Sequence, residues 1–321
     1  MKFVFLMDPL SSVVMEKDTS FIFMHGAYRQ GHEIYYCAKD GITHLNGALS
    51  FSVTGVIPQQ NENNPFIIQE KQTLSTDDVD AIFVRTDPPF DYDYLMKTWL
   101  LDLVKDKIFI MNDPNGIRTV NEKIWSLQFT DLIPPTAVTR NKKEFDSFLA
   151  KYKHIVGKPT DGFGGQSIFQ ITYSDVNRNT IFETLTLNGD RDAIFQEYVP
   201  EAKIGDKRIL LLNGEPLGAV LRVHGGEDHR NNFFAGGSAV TTDITKRELY
   251  IIDVLAPHLR TLGLYFVGID IMGDYLIEVN VTSPTCLQEM NRLSEAQLEN
   301  QVISFVEKAV ESKSNNRTIG S

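Results

Sequence analysis

Asp270, Glu278 and Asn280 put two carboxylates and a carboxamide into one short segment, Gly268-Ile269-Asp270-Ile271-Met272-Gly273-Asp274-Tyr275-Leu276-Ile277-Glu278-Val279-Asn280-Val281. The segment reads as two strands joined by a tight turn at Gly273-Asp274. Glu278 and Asn280 are two apart and share a face. Whether Asp270 joins them is a question of register. A strict two-residue loop pairs Asp270 with Ile277 and sends Glu278 to the other side. The apolar pattern favours a different pairing, with Val267, Ile269 and Ile271 sharing a buried face with Ile277, Val279 and Val281. Asp270, Glu278 and Asn280 then stand together, which requires an odd loop or a β-bulge. Such a set of hard oxygen donors suits Mg²⁺. A merely solvated acidic face would interleave lysines or arginines; the neighbours here are Phe266, Gly268 and Leu276.

A second cluster could bind phosphate. Gly162-Phe163-Gly164-Gly165 lies between two strand-like runs, with Lys158 four residues before the first glycine. Glycines let backbone N–H groups approach phosphate oxygens, and a lysine adds a point charge. A plain hairpin tip is the alternative. Neither GxxxxGK(S/T) nor a helix-opening GxGxxG is present. Arg208 begins one strand and Arg222 ends the next. With Asn213-Gly214 as their turn, both lie at the far end of that hairpin. Arg230, Asn231 and Asn232 lead into Ala235-Gly236-Gly237. Arginine forks bind carboxylates and phosphates, although a lone arginine is as often a solvated charge. His224 and His229 lack metal partners at a suitable spacing, Cys37 and Cys286 read as small buried hydrophobes, and no serine elbow supports a triad.

The elements that must position these groups begin with strand–helix alternation. Strand runs at 2–7, 33–37, 80–85 and 107–112 flank a helix capped by Asp18-Thr19-Ser20 and another carrying Tyr94, Trp99 and Leu103. This pattern predicts a parallel sheet with helices on both faces, whose ligands bind beyond the strand carboxyl ends. Asp8-Pro9, Thr86-Asp87-Pro88-Pro89 and Asp113-Pro114-Asn115-Gly116 follow three of those strands, as a binding rim or simply as good turns. From about residue 121 the texture changes. Strands are expected at 154–158, 167–172, 193–197, 207–213, 216–223, 264–272 and 275–281. Helices are expected at 143–152, 175–187, 246–262 and 295–311, with a polar, frayed tail over 312–321.

Composition limits the classes. A chain of 321 residues predicts two or three domains, and 42 acids against 31 bases give a net charge of −11. That balance argues against nucleic-acid binding, which needs a basic face, yet leaves room for a local anion pocket. Two cysteines cannot build a disulfide framework, so a reducing compartment is expected. The apolar run 2–7 is too short for a signal peptide, and no run spans a membrane. A cytoplasmic location is expected.

Taken together, these motifs resemble the ATP-grasp superfamily, and within it the bacterial glutathione synthetase family. Matching runs are Met7-Asp8-Pro9, Lys17-Asp18-Thr19-Ser20-Phe21, Arg85-Thr86-Asp87-Pro88-Pro89-Phe90-Asp91 and Asn121-Glu122-Lys123. They continue with Lys158-Pro159-Thr160-Asp161-Gly162-Phe163-Gly164-Gly165, Gly205-Asp206-Lys207-Arg208, Phe266-Val267-Gly268-Ile269-Asp270 and Glu278 through Cys286. The resemblance implies a three-domain α/β ATP-grasp fold. Residues 1–120 would form the N-terminal parallel-sheet substrate domain, 121–200 the central lid and 201–311 the C-terminal nucleotide and metal domain. It implies ATP-dependent joining of γ-glutamylcysteine and glycine through an acyl phosphate.

By motif match, Lys123 and Lys158 would contact ATP phosphates and Gly164 and Gly165 would cover them. Glu197 and Val199 would hold adenine, with Asp206 near the ribose. Asp270, Glu278 and Asn280 would bind Mg²⁺, or Mn²⁺ in its place. Arg208 and Arg222 would face the reacting phosphate, while Ser20, Arg85 and Arg230 would hold the dipeptide carboxylates. A homotetramer is also implied. Asn231 departs from the pattern, standing where glycine is expected. Two rivals keep the same fold: a ligase with a different acceptor amine, and a non-catalytic ATP-binding regulator.

Overall fold

In a computed structural model, which describes residues 1–161, 167–223 and 238–319, the chain builds three sheets. The first contains β1 (Lys2–Met7), β2 (Glu33–Leu45), β3 (Ala48–Pro58), β4 (Phe66–Ser75), β5 (Ala81–Arg85) and β6 (Phe109–Met111), in the order β4-β3-β2-β1-β5-β6. Helices α1 (Thr19–Arg29), α2 (Tyr92–Asp102) and α3 (Pro114–Thr119) connect it. Asp18 caps α1 by accepting from the Phe21 N–H at 2.8 Å, as its position in the sequence predicts. The β1, β2, β5 and β6 pairings are parallel, but β2-β3 and β3-β4 are antiparallel. The expected parallel sheet is thus present in β2-β1-β5-β6, and the expectation is corrected at one edge, where antiparallel β3 and β4 make the sheet mixed. The signal was Asn46-Gly47, whose φ values of +50° and +87° make the tight reversal between β2 and β3.

The second sheet is antiparallel, in the order β7-β10-β8-β9, from β7 (Thr136–Thr139), β8 (His154–Pro159), β9 (Phe169–Thr172) and β10 (Ala193–Glu197). Helices α4 (Lys142–Tyr152) and α5 (Arg178–Thr186) close over it, and Phe145, Ile155, Phe182 and Phe195 form its own small core.

The third sheet, β13-β12-β11-β14-β15, is also antiparallel, from β11 (Asp206–Leu212), β12 (Glu215–Val223), β13 (Ser238–Val240), β14 (Phe266–Met272) and β15 (Tyr275–Asn280). It carries α6 (Lys246–Thr261) and α7 (Leu287–Ser294), while α8 (Glu299–Ile319) packs on α1 and β6 of the first sheet. Thr245 and Glu248 close a capping box at the start of α6. Helix α8 runs on to Ile319, past the point where a frayed tail is expected.

The first and third sheets share their cores. One cluster joins Val4, Leu6, Ile82 and Val84 to Ile209, Val267 and Ile269; another joins Phe3, Phe5 and Phe83 to Leu210, Val220 and Phe266. Asn112 fixes the seam. Its Nδ2 donates to the carbonyls of Phe266 at 2.8 Å and Val281 at 2.9 Å, and its Oδ1 accepts from the Phe266 N–H at 2.8 Å. Replacing Asn112 with Ala would strand these buried backbone groups, so we expect a loss of about 2–4 kcal/mol. Urea unfolding checks this: the midpoint should fall with the slope unchanged, and an unshifted midpoint would refute the clamp.

Candidate functional site

The hairpin of β14 and β15 pairs Asp270 with Glu278 and Gly268 with Asn280, with a β-bulge directly after Asp270. The turn keeps two residues, Gly273 taking φ +57°, and the bulge supplies the odd count that the apolar pattern demanded. The two carboxylates and the amide thus share one face. One detail differs from expectation: Leu276 pairs with Ile271 and is buried, while Ile277 is displaced to the bulge and only half-buried.

Neighbouring strands bring the arginines onto this face. Arg208 on β11 pairs with Asp270, donating from Nε to Oδ1 at 2.5 Å and from Nη2 to Oδ2 at 2.9 Å. Arg222 at the end of β12 pairs with Asp206 and forks onto its carboxylate, and its Nη2 also lies 3.0 Å from Oδ2 of Asp270. Burial opposes the charged form of Asp270, yet both guanidiniums outweigh it and hold the carboxyl well below the usual range. Gly268 makes room for this arrangement. A Cβ there would stand 2.9 Å from Pro284 Cβ and 3.2 Å from Arg208 Cδ.

The lysines approach from the second sheet and its lead-in segment. Lys123 Nζ lies 3.5 Å from Glu278 Oε1. Lys158, on β8, is buried and donates to Gln196 Oε1 at 3.3 Å. Burial lowers its pKa, while the fields of Glu278 and Asp270 favour its charge. Gln196 also donates to Thr136 Oγ1 at 2.8 Å, just before Glu197 and the buried Val199 at the end of this sheet. Glu122 belongs to this group, although its type and spacing in the sequence mark no role for it. Its Oε1 accepts from Thr282 at 2.9 Å and its carbonyl from the Val279 N–H at 2.9 Å, tying the Lys123 segment to β15. Burial, then Glu278, pushes its carboxyl up. Adjacency to Lys123 was the only available signal.

The rim lies where the parallel strands end. Arg85, at the end of β5, donates from Nε to Ser20 Oγ at 3.0 Å and from Nη2 to the Pro284 carbonyl at 3.0 Å. It packs 5.8 Å over the ring of Phe23 and 5.9 Å over that of Phe266. Asp8 accepts from the Asp87 N–H at 2.8 Å, and Ser283 donates to Asp87. Ser20 and Arg85 are therefore together, beside the segment that follows β15. Gly164, Gly165 and Arg230, like His224 and His229, lie outside the described residues.

The donor set fits a hard divalent cation. Asp270 is ionised, and the bonds above leave a lone pair on its Oδ1, since each carboxylate oxygen can accept twice. Asn280 Nδ2 donates to the Gly268 carbonyl at 3.2 Å and lies 3.4 Å from Asp270 Oδ2, so presenting its oxygen to a cation takes a rotation of the amide that gives up the Gly268 bond. Among the described residues no group of three or more His, Cys, Asp or Glu is placed to hold a metal ion. The set here is completed by an amide.

Comparison with known proteins adds the remaining findings. Residues 1–118 match the family described as prokaryotic glutathione synthetase, N-terminal domain, and residues 122–295 match prokaryotic glutathione synthetase, ATP-grasp domain. A glutathione synthetase of Nostoc sp. is 40% identical over 323 residues, covering 96% of this chain and 98% of the relative. One from Vibrio vulnificus is 36% identical over 311 residues, covering 96% and 98%. One from Citrobacter rodentium is 39% identical over 287 residues, covering 89% and 91%. Among solved structures, D-cycloserine synthetase DcsG superposes with a TM-score of 0.66 at 13% identity, covering 95% of this chain and 99% of that one. Macrocyclase MdnC gives a TM-score of 0.65 at 14% identity, covering 96% and 100%. These likenesses show the ATP-grasp fold.

Asp270→Asn would leave two buried guanidiniums facing a neutral amide, and we expect it to cost about 3 kcal/mol at neutral pH. A carboxylate whose pKa is depressed by folding contributes stability above its unfolded value of about 3.9 and loses it as pH falls through the folded value. Urea midpoints for parent and variant should stay apart from pH 7 to about 5 and converge only below about 4. Convergence near neutrality would refute this.

Proposed function

The chain belongs to the prokaryotic glutathione synthetase family and catalyses ATP-dependent glutathione synthesis from γ-glutamylcysteine and glycine; from that premise we propose how its residues divide the work. Residues 1–120, 121–200 and 201–311 serve as substrate, lid and nucleotide units. Lys123 and Lys158 contact the ATP phosphates, Gly164 and Gly165 cover them, Glu197 and Val199 border adenine, and Asp206 lies near the ribose. Ser20, Arg85 and Arg230 hold the dipeptide carboxylates. The observation that carries this division is the pairing of Asp270 with Glu278 under Arg208, Arg222 and Lys123.

The chemistry follows from charge. A carboxylate resists attack by an amine, so its oxygen first takes the γ-phosphoryl group of ATP and ADP leaves. Arg208 and Arg222 face the transferring group and neutralise charge that spreads over its oxygens. Asp270, Glu278 and Asn280 would hold Mg²⁺, or Mn²⁺ in its place, which supplies further neutralisation of phosphate charge when bound. The glycine amine then attacks the acyl carbon, a C–N bond forms, the amine loses its proton and inorganic phosphate departs. Water would compete for the acyl phosphate, which gives the lid its purpose.

Both cysteines are free and buried. Among the described residues no helix is long and apolar enough to cross a membrane. A cytoplasmic homotetramer is the form we propose, on the family resemblance. The division of roles is tested by ADP release with γ-glutamylcysteine and glycine. Glu278→Gln should lose nearly all activity while retaining its fold by circular dichroism, and chelation of divalent cations should silence the parent. Full turnover by the variant would remove Glu278 from the site.

A further inference from the structure

Among the described residues, two buried polar groups near the rim, on Tyr94 and Arg85, have no hydrogen-bond partner. Tyr94 is 4% exposed, and its hydroxyl meets no hydrogen-bond partner among the described residues. The same is true of Nη1 of Arg85, whose other nitrogens are engaged by Ser20 and Pro284. Local contacts hold Tyr94 in place. Asp91 caps α2 by accepting from the Tyr94 N–H at 2.9 Å, and the Phe90 ring lies against the Tyr94 ring with centroids 5.0 Å apart. The ring belongs to the apolar cluster with Leu101 and Val104. Phenylalanine would fill that space equally well. The hydroxyl adds a buried donor, and a donor left unsatisfied costs about 1–3 kcal/mol.

The charges around it identify what could satisfy it. Burial, chiefly, and the acids Glu122, Asp87 and Asp8 hold the phenol far above its ordinary pKa, while Arg85 pulls the other way. The hydroxyl therefore stays a neutral donor. A guanidinium with a free N–H, a free phenol and nearby carboxylates complement a head group that carries both charges, an α-carboxylate beside an α-ammonium. ATP has no such group. Glycine has one, but its amine must reach the acyl carbon unprotonated, so acids holding it would oppose the reaction. The γ-glutamyl end of the dipeptide has one and does not react.

We propose that the Tyr94 hydroxyl and Arg85 Nη1 together bind the α-carboxylate of the γ-glutamyl end, with its α-ammonium on the side of Asp87, since Asp8 is already paired with Lys39 at 2.6 Å, making Tyr94 a specificity-determining residue. The inference rests on the assignment of Arg85 to the dipeptide and deepens it. Tyr94→Phe keeps the ring and removes only the hydroxyl. Steady-state kinetics would compare γ-glutamylcysteine with 4-aminobutanoylcysteine, which lacks the α-carboxylate, and glutarylcysteine, which lacks the α-ammonium.

In the variant, KM for γ-glutamylcysteine and glutarylcysteine should rise about 10- to 100-fold, the loss expected for a hydrogen bond to a charged group. KM for 4-aminobutanoylcysteine, ATP and glycine should not move, and kcat should stay near the parent value. No change, or an equal change for all three dipeptides, overturns the role of Tyr94. A parent enzyme indifferent to loss of the α-carboxylate overturns the assignment of Arg85 as well, so the two failures are distinguishable.

Discussion

The site depends on one buried carboxylate shared between two guanidiniums. Asp270 sits on a central strand with Arg208 directly across on one side and Glu278 on the other, and Arg222 reaches it from one strand further. A charge so placed is tolerable only if opposite charges and hydrogen bonds surround it. The register of β11, β12, β14 and β15 is therefore constrained twice, by the apolar face beneath and by the ion network above. A slip of one residue at any of these pairings would bury a charge in the core and expose an aliphatic side chain. The bulge after Asp270 is the local device that satisfies both demands with a two-residue turn.

From this network the contacts spread outward to the other units. Glu122 joins the Lys123 segment to β15 and Thr282, and Asn112 joins the end of β6 to β14 and to Val281. Pro284 receives Arg85, and Ser283 receives into its reach the carboxylate of Asp87. The stretch after β15 is thus a common anchor for groups from the end of β5 and from the Lys123 segment. Its side-chain and backbone partners are polar and specific, so the placement of Arg85, Asp87 and Glu122 around it is fixed by hydrogen-bond geometry in addition to the shared apolar cores. The second sheet differs. It has its own phenylalanine-rich core and presents Lys158 on a strand edge-to-edge with Gln196.

Much of this was legible in the chain, for identifiable reasons. Alternation in 264–281 specified a shared acidic face because a strand has a period of two, and a turn of fixed length left only a bulge to reconcile the pattern. The Asp18 cap and the Asn213-Gly214 reversal were likewise local signals with local causes. The β2-β3-β4 extension was missed although Asn46-Gly47 carries the same dipeptide signature. Strand β4 is largely exposed, so its apolar pattern is weak, and the run before it reads as a loop. Glu122 could not be assigned because its partners, Thr282 and the Val279 N–H, are remote in sequence and close only in the fold.

A net charge of −11 describes the surface and misleads about the cleft. ATP and the dipeptide are anions, and the groups proposed to meet them include buried cations whose nearest hydrogen-bond partners are neutral. Lys158 has an amide for its nearest partner, and Arg85 has a hydroxyl and a carbonyl. An interior cation whose hydrogen bonds go to neutral groups, with carboxylates only further off, keeps more of its attraction for an incoming anion than one in a direct ion pair, at the expense of the stability of the empty protein. Asp270 and Asp206 play the opposite part, holding Arg208 and Arg222 in place so that two guanidiniums can lie side by side without driving each other apart. The acids of the site thus organise its positive charge, and the acidic average of the chain is compatible with binding ligands of the same sign.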